Sequence, residues 1–344
     1  MKACVLEAVN RLVFKDVPTP SPREGEVLLK IRACGICSSD IARVKQTGTY
    51  HFPTIPGHEF CGEIVAVGQM VSSSLIGKRA VVFPLLPCGK CFSCKEEHYA
   101  QCSHYNYFGS RCDGGFAEYI AVPFWNIQIF NDSIPFTTAA LCEPAAVALH
   151  AVKLCSIQKS TTICVVGTGT IGILCGLWVR QRGSRVIFVS RNEQKSQFLD
   201  SLGFKDIISE QHAVTAIQEL TNGLGADVAL ECVGTNTSLE TAINMLCQRG
   251  TLILTGNPSG DMLIRQKVYW KILRSELTVK GSWNAVYGSR DNDWKEVLTH
   301  FESLKEPFAK LVTHSFSLKD YISAFNVLCN KDIFSIKVVL KNEG

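Results

Sequence analysis

The chain has 344 residues, enough for two domains at roughly 100–200 residues each, and an apolar share of 46% allows sizeable cores. The net charge is only +4 with Lys and Arg scattered, which argues against a nucleic-acid surface and leaves no charged tail. The opening MKACVLEAVNRLVFKDV lacks the basic-then-apolar form of a signal peptide. The longest apolar run, residues 163–179, is interrupted by glycines and falls short of the roughly 20 residues of a spanning helix, so a soluble, cytoplasmic protein with no membrane partner is expected.

Residues 1–150 are rich in Gly, Pro and short Val/Ile runs: EVLLKIRACG, EIVAVG, RAVVF and AEYIAV. These are strand-and-turn patterns, and they predict an antiparallel, barrel-type domain. Candidate metal ligands punctuate it. CGICSSD, residues 34–40, offers Cys37, and GHEF, residues 57–60, offers His58 and Glu59. LCEPAAVALH, residues 141–150, offers Glu143. Cys37 and His58 with one carboxylate would leave a coordination position open, the catalytic arrangement for zinc. Glu143 is the third candidate; Glu59 is the alternative or a switching ligand. A lone Cys, His or Glu is usually structural, and spacing alone does not bring these four together.

The stretch CGKCFSCKEEHYAQC carries Cys88, Cys91, Cys94 and Cys102 in the spacing C-x2-C-x2-C-x7-C. Most of the other cysteines stand singly in apolar runs, as Cys164, Cys175, Cys232 and Cys247 do, and read as small buried hydrophobes. Short cysteine spacings in a chain without an export signal point to metal rather than disulfides. Four sulfurs with no open position describe a structural zinc site, and ferredoxin spacing differs. The lobe has few apolar residues, so metal would hold it together.

From about 151 to 284 strands alternate with helical segments: ICVVG, VIFVS, DIIS, DVALEC, TLILTG and LTVKG. That is the pattern of a doubly wound parallel sheet with helices on both faces. Within TTICVVGTGTIGILCGLWVRQRG the motif G-x-G-x-x-G stands between a strand and a helix, as a dinucleotide turn requires. Gly167 serves the tight turn, Gly169 the approach of a pyrophosphate, and Gly172 close helix–sheet packing; Thr170 and Ile171 open the helix. The second strand ends in Ser190 and Arg191, with Lys195 nearby, where an acid would accept the ribose hydroxyls of NAD. Ser190 cannot repel a 2′-phosphate and Arg191 can pair with one, so NADP is expected over NAD.

The tail HSFSLKDYISAFNVLCN is expected to be a capped amphipathic helix, followed by a strand in FSIKVVL, both returning to the first domain. The GHE motif, the four-cysteine lobe, the EP dipeptide and GTGTIG, in this order, resemble the zinc-dependent medium-chain dehydrogenases over essentially the full chain. The resemblance implies a GroES-like catalytic domain, residues 1–150 completed by 285–344, and a Rossmann cofactor domain, residues 151–284. It implies one catalytic and one structural zinc per chain. Cys37, His58 and Glu143 match the catalytic ligands with Glu59 beside the metal, and Cys88, Cys91, Cys94 and Cys102 match the structural site. Ser39 falls at the proton-relay hydroxyl, with Asp40 as an orienting carboxylate. Thr255, Gly256 and Ser282 fall where such enzymes line the nicotinamide pocket. The implied reaction is oxidation of a secondary alcohol, here of a polyol phosphate, by NADP or NAD in a homodimer or homotetramer. Arg43, Arg111, Lys271 and Arg274 are the candidate anchors for a substrate phosphate. Other readings are an unphosphorylated polyol dehydrogenase, a pentitol- or ketose-phosphate reductase, and a nucleotide-binding protein that has lost catalysis.

Overall fold

Alternation shapes the first sheet. In EVLLKIRACGI, Val27, Leu29 and Ile31 are buried while the residues between them are only half-buried, the period of a strand covering a core on one face. A computed structural model describes residues 1–342 and divides them into two units, 1–143 with 286–342, and 144–285.

The strands in chain order are β1 Lys2–Ala8, β2 Arg11–Asp16, β3 Glu26–Ile36, β4 Glu59–Val67, β5 Arg79–Val82, β6 Leu85–Leu86, β7 Asn106–Tyr107, β8 Tyr119–Pro123, β9 Ile127–Ile129, β10 Thr162–Val166, β11 Arg185–Ser190, β12 Ile207–Ser209, β13 Ala226–Glu231, β14 Leu246–Leu254, β15 Thr278–Gly281, β16 Val312–Ser317 and β17 Lys337–Lys341. In the first unit a seven-stranded sheet runs β16-β17-β3-β4-β5-β9, with β8 also paired to β3. All of its pairings are antiparallel except β16 with β17. One core joins Leu6, Leu29, Ile64 and Phe116 to Phe325, Val338 and Leu340 from the far end of the chain. Each fully buried side chain of this kind contributes about 1.5–3 kcal/mol, so the tail is an integral part of the first unit.

In the second unit six parallel strands run β12-β11-β10-β13-β14-β15. Ile163 to Val166 are all buried, as a strand covered on both faces requires. The unit is the Rossmann sheet, and the first unit is the GroES-like domain. The first stretch of the first unit ends at Glu143, within the first turn of the helix Cys142–Lys153. The tail differs from expectation in one respect. HSFS belongs to β16, and the helix spans only Tyr321–Cys329, with no side chain capping its start. Ser317 and Asp320 bond each other instead, Oγ to Oδ2 at 2.6 Å. Among the described residues no helix is long and apolar enough to cross a membrane, and no cysteine is in a disulfide. Cys232 and Cys247 are only half-buried.

Candidate metal centres and dinucleotide turn

The two central strands of the first sheet place the first donor set. Cys37 follows the end of β3, and His58 and Glu59 stand at the start of β4, where Gly35 pairs with Glu59 across the ladder. A Cβ on Gly35 would lie 2.1 Å from Glu59 Oε2, so the absence of a side chain there makes room for the carboxylate. Ligand atoms of Cys37, His58 and Glu59 lie within 4.8 Å of one another. A half-buried thiol converging with a buried imidazole and a buried carboxylate forms a donor set suited to zinc. Glu143 lies beside this set without joining it at that spacing; it is buried, and the Tyr107 hydroxyl donates to its Oε1 at 3.3 Å. Burial pushes the Glu143 carboxyl up to about 7; Glu59 adds to the rise, while His58, Lys337 and Tyr107 oppose it.

Glu59 is engaged from behind. Lys337 of β17 is buried and its Nζ donates to both Glu59 oxygens at 2.7 Å. Burial alone would lower the Lys337 pKa, but the Glu59 charge outweighs it and the ammonium stays protonated above the usual range. Asp40 is fully buried, accepts the Cys37 N–H at 3.0 Å, and holds Oδ1 3.4 Å from His58 Nδ1 without hydrogen-bond geometry. Burial pushes Asp40 up, yet His58, Arg43 and the Cys37 N–H outweigh it and hold the carboxyl below the usual range. Ser39 Oγ accepts from Arg43 Nη1 at 3.1 Å, and the same nitrogen reaches Asp40 Oδ1 at 3.3 Å. The Tyr107 ring stands 5.7 Å from that of His58. Sequence reasoning missed Lys337 and Tyr107. Lys337 lies 278 positions from its partner, and no local pattern signals it.

The four-cysteine loop closes on itself. Sγ–Sγ distances are 3.5 Å for Cys91–Cys94, 3.8 Å for Cys91–Cys102 and 3.9 Å for Cys88–Cys94. A disulfide would need about 2.05 Å. A tetrahedron with metal–sulfur bonds of about 2.3 Å has edges of about 3.8 Å, so the donors fit a bound zinc. Backbone N–H groups of Cys94 and Ser103 lower the Cys91 thiol to about 6, toward the thiolate a metal needs. A separate cavity of about 620 Å³ in the same unit is lined by residues such as Lys15, Arg23, Thr54, Phe108 and Ile120. None of the candidate ligands lines it.

In the second unit the glycine turn has the shape a dinucleotide needs. Gly167 adopts φ +109°, which L side chains rarely allow. A Cβ on Gly172 would sit 2.1 Å from Gly167 O, whereas a Cβ on Gly169 would meet nothing within 4 Å. The turn is therefore tight below and open above Gly169, at the N-terminus of the helix Thr170–Gln181, which begins with Thr170 and the half-buried Ile171. Thr255 Oγ1 and Ser282 Oγ are buried without a hydrogen-bond partner among the described residues. The Thr255 and Gly256 N–H groups are held by Glu231 O at 2.9 Å, and Ser282 N by Leu254 O at 2.9 Å. Hydroxyls without a partner on fixed backbone have hydrogen-bonding capacity to spare, and the residues present fit a dinucleotide. Ser190 Oγ is buried against Asn192, while exposed Arg191 places Nε 3.7 Å from Glu210 Oε2. Lys195 is half-buried; its N–H is capped by Asn192 Oδ1 at 2.9 Å, and burial, then Arg191, lowers its pKa.

Both halves have counterparts in one family. The profile of the alcohol dehydrogenase GroES-like domain matches residues 23–131, and that of the zinc-binding dehydrogenases matches residues 170–303. Galactitol 1-phosphate 5-dehydrogenase of Escherichia coli (strain K12) is 32% identical over 91% of both chains. A crystal structure of galactitol-1-phosphate dehydrogenase from Escherichia coli superposes with TM-score 0.91 at 29% identity, covering 99% of this chain and 100% of that one. Sorbitol dehydrogenase of Bacillus subtilis (strain 168) is 33% identical over 75% of this chain and 76% of its own. A solved zinc-binding dehydrogenase from Sinorhizobium meliloti 1021, bound to NADP, has TM-score 0.88 at 26% identity, covering 99% of each chain. The chain belongs to the zinc-dependent medium-chain alcohol dehydrogenase family and is an oxidoreductase.

Proposed function

We propose that the protein oxidises a secondary alcohol of a polyol phosphate, converting galactitol 1-phosphate to tagatose 6-phosphate with reduction of NADP in preference to NAD. The observation that carries the chemistry is the convergence of half-buried Cys37 with buried His58 and Glu59, with buried Glu143 beside them. The 32% identity to galactitol 1-phosphate 5-dehydrogenase over 91% of the chain supports the substrate. When bound, zinc supplies a Lewis acid that acidifies a hydroxyl, and the nicotinamide supplies the hydride acceptor.

The chain's own residues do the rest. Cys37 and His58 hold the metal, with Glu143 or Glu59 as the carboxylate ligand, and Cys88, Cys91, Cys94 and Cys102 hold a second, structural ion. Asp40 fixes the Cys37 backbone and faces His58. Ser39 Oγ accepts from Arg43 Nη1 and, being half-buried, can take the proton leaving the alcohol while it passes its own hydroxyl proton on to solvent water. Thr255 and Ser282 offer their orphaned hydroxyls to the nicotinamide end of the cofactor, Gly167, Gly169, Thr170, Ile171, Gly172 and Gly256 shape the backbone around it, and Ser190, Arg191 and Lys195 receive the ribose end.

The test is absorbance of reduced cofactor with zinc-loaded protein, galactitol 1-phosphate against galactitol, and NADP against NAD. Turnover confined to the phosphate ester supports the reading. Equal or better turnover of the free polyol overturns the phosphate and leaves a sorbitol-type enzyme. Arg191→Ala is expected to raise the KM for NADP about tenfold, the loss of one charge-assisted contact; an unchanged KM sinks the NADP preference.

A further inference from the structure

A phosphate ester needs a cation that is held in place and not already neutralised. Among the four basic candidates the structure separates Arg111. Arg43 is spent on Asp40 and Ser39. Arg274 and Lys271 belong to the helix Gln266–Arg274 of the second unit, where Arg274 lies over the Trp270 ring. Arg111 sits in the first unit, with the metal-ligand candidates, and no carboxylate among the described residues pairs with it.

Its guanidinium lies over two rings, 4.2 Å from the Tyr50 centroid and 4.3 Å from that of Tyr105. Nη2 donates to the Tyr50 hydroxyl and Nη1 to the Tyr105 carbonyl, each at 3.1 Å. Two of its five N–H groups are thus used to fix the plane, and three remain. The chain also anchors the backbone: the His51 ring nitrogen Nε2 lies 3.2 Å from Arg111 O. From these two rings, contacts lead to the donor set, Tyr105 to Tyr107 at 6.3 Å and Tyr107 to His58 at 5.7 Å. A planar cation held by stacking, with donor edges to spare, is built for bidentate recognition of a phosphate.

We infer that Arg111 is the residue that binds the phosphate of the substrate and sets the preference for a phosphorylated polyol. This rests on the polyol phosphate reading above. The experiment uses the zinc-loaded enzyme and compares kcat/KM for galactitol 1-phosphate with that for galactitol. In Arg111→Met the ester-to-polyol ratio falls ten- to hundredfold, the change residing in KM for the ester while its kcat stays within about twofold. Arg111→Lys, which keeps a point charge without the fork, recovers part of the ratio. Inorganic phosphate competes with the ester in the wild type, and Arg111→Met loses that competition. If the wild type shows no preference for the ester, the substrate reading falls and the inference with it. If the wild type prefers the ester and Arg111→Met prefers it equally, the inference alone is overturned. Thermal unfolding of both variants guards against misfolding; should the Met variant not fold, an undiminished ester ratio in Arg111→Lys, without phosphate competition in the wild type, overturns it instead.

Discussion

Glu143 is a residue whose chemistry can be read without the metal. Burial disfavours its charge and pushes its carboxyl up to about 7 in the folded protein. The unfolded chain's carboxyl titrates near about 4.3. Between those values the folded state holds the proton more tightly than the unfolded one, so stability at this residue is full at low pH and declines as pH rises toward 7. The expected size is on the order of 1–3 kcal/mol for a shift of this kind. In Glu143→Gln the metal-free protein should lose this decline, read from thermal midpoints between about pH 4.5 and 7; parallel pH profiles of the two proteins would rule it out. The residues of the donor set were visible in the sequence because CGICSSD, GHEF and LCEPAAVALH are local. The counter-charge was not: Lys337 gains its role only when β17 comes to lie beside β3.

At the scale of the element, glycine and cysteine spacing carried most of the legible signal, because both impose geometry over a few residues. The helix Thr170–Gln181 approaches β10 so closely that a Cβ at Gly172 would meet Gly167 O at 2.1 Å and Val165 Cγ1 at 3.3 Å. Backbone must move to admit it. Gly172→Ala is therefore expected to displace the helix N-terminus from the turn and weaken binding of reduced cofactor at least about tenfold, followed by nucleotide fluorescence; unchanged affinity would show that the turn tolerates the shift. The cysteine loop makes a parallel case. Only Cys94 and Cys102 of its four sulfurs belong to buried residues, and Phe92 is exposed, so little apolar packing holds it. Cys91→Ser should remove one of two bound zinc ions by metal analysis and make the segment 87–103 the first site of proteolytic cleavage. Full zinc content in the variant would assign the metal elsewhere. The boundary of the last helix was not legible, since HSFS alternates apolar and polar residues and β17 recruits it as a strand.

For the whole molecule, the order of patterns, short strands, then alternating strands and helices, then a helix and strand, foretold a sheet unit interrupted by a parallel one. The closure of the first core by Phe325, Val338 and Leu340 follows from that order. What a single chain leaves open is an edge. β15 is hydrogen-bonded to β14 on one side, and all four of its residues are exposed, Val279 by 45%. Edge strands are usually guarded by charge. Here Lys280 donates its ammonium to Leu154 O at 3.1 Å, which draws the charge back onto its own unit. An exposed edge of this kind is suited to pairing with the same edge of a second copy, the two β15 strands running antiparallel across a two-fold axis and joining the two sheets. The protein should then run in light scattering at twice its 37.9 kDa chain mass, or at four times in a tetramer. Val279→Asp sets two carboxylates against each other across that axis and should halve the mass at micromolar concentration. A wild type at single-chain mass removes the dimer, and a Val279→Asp variant of unchanged mass moves the interface away from β15.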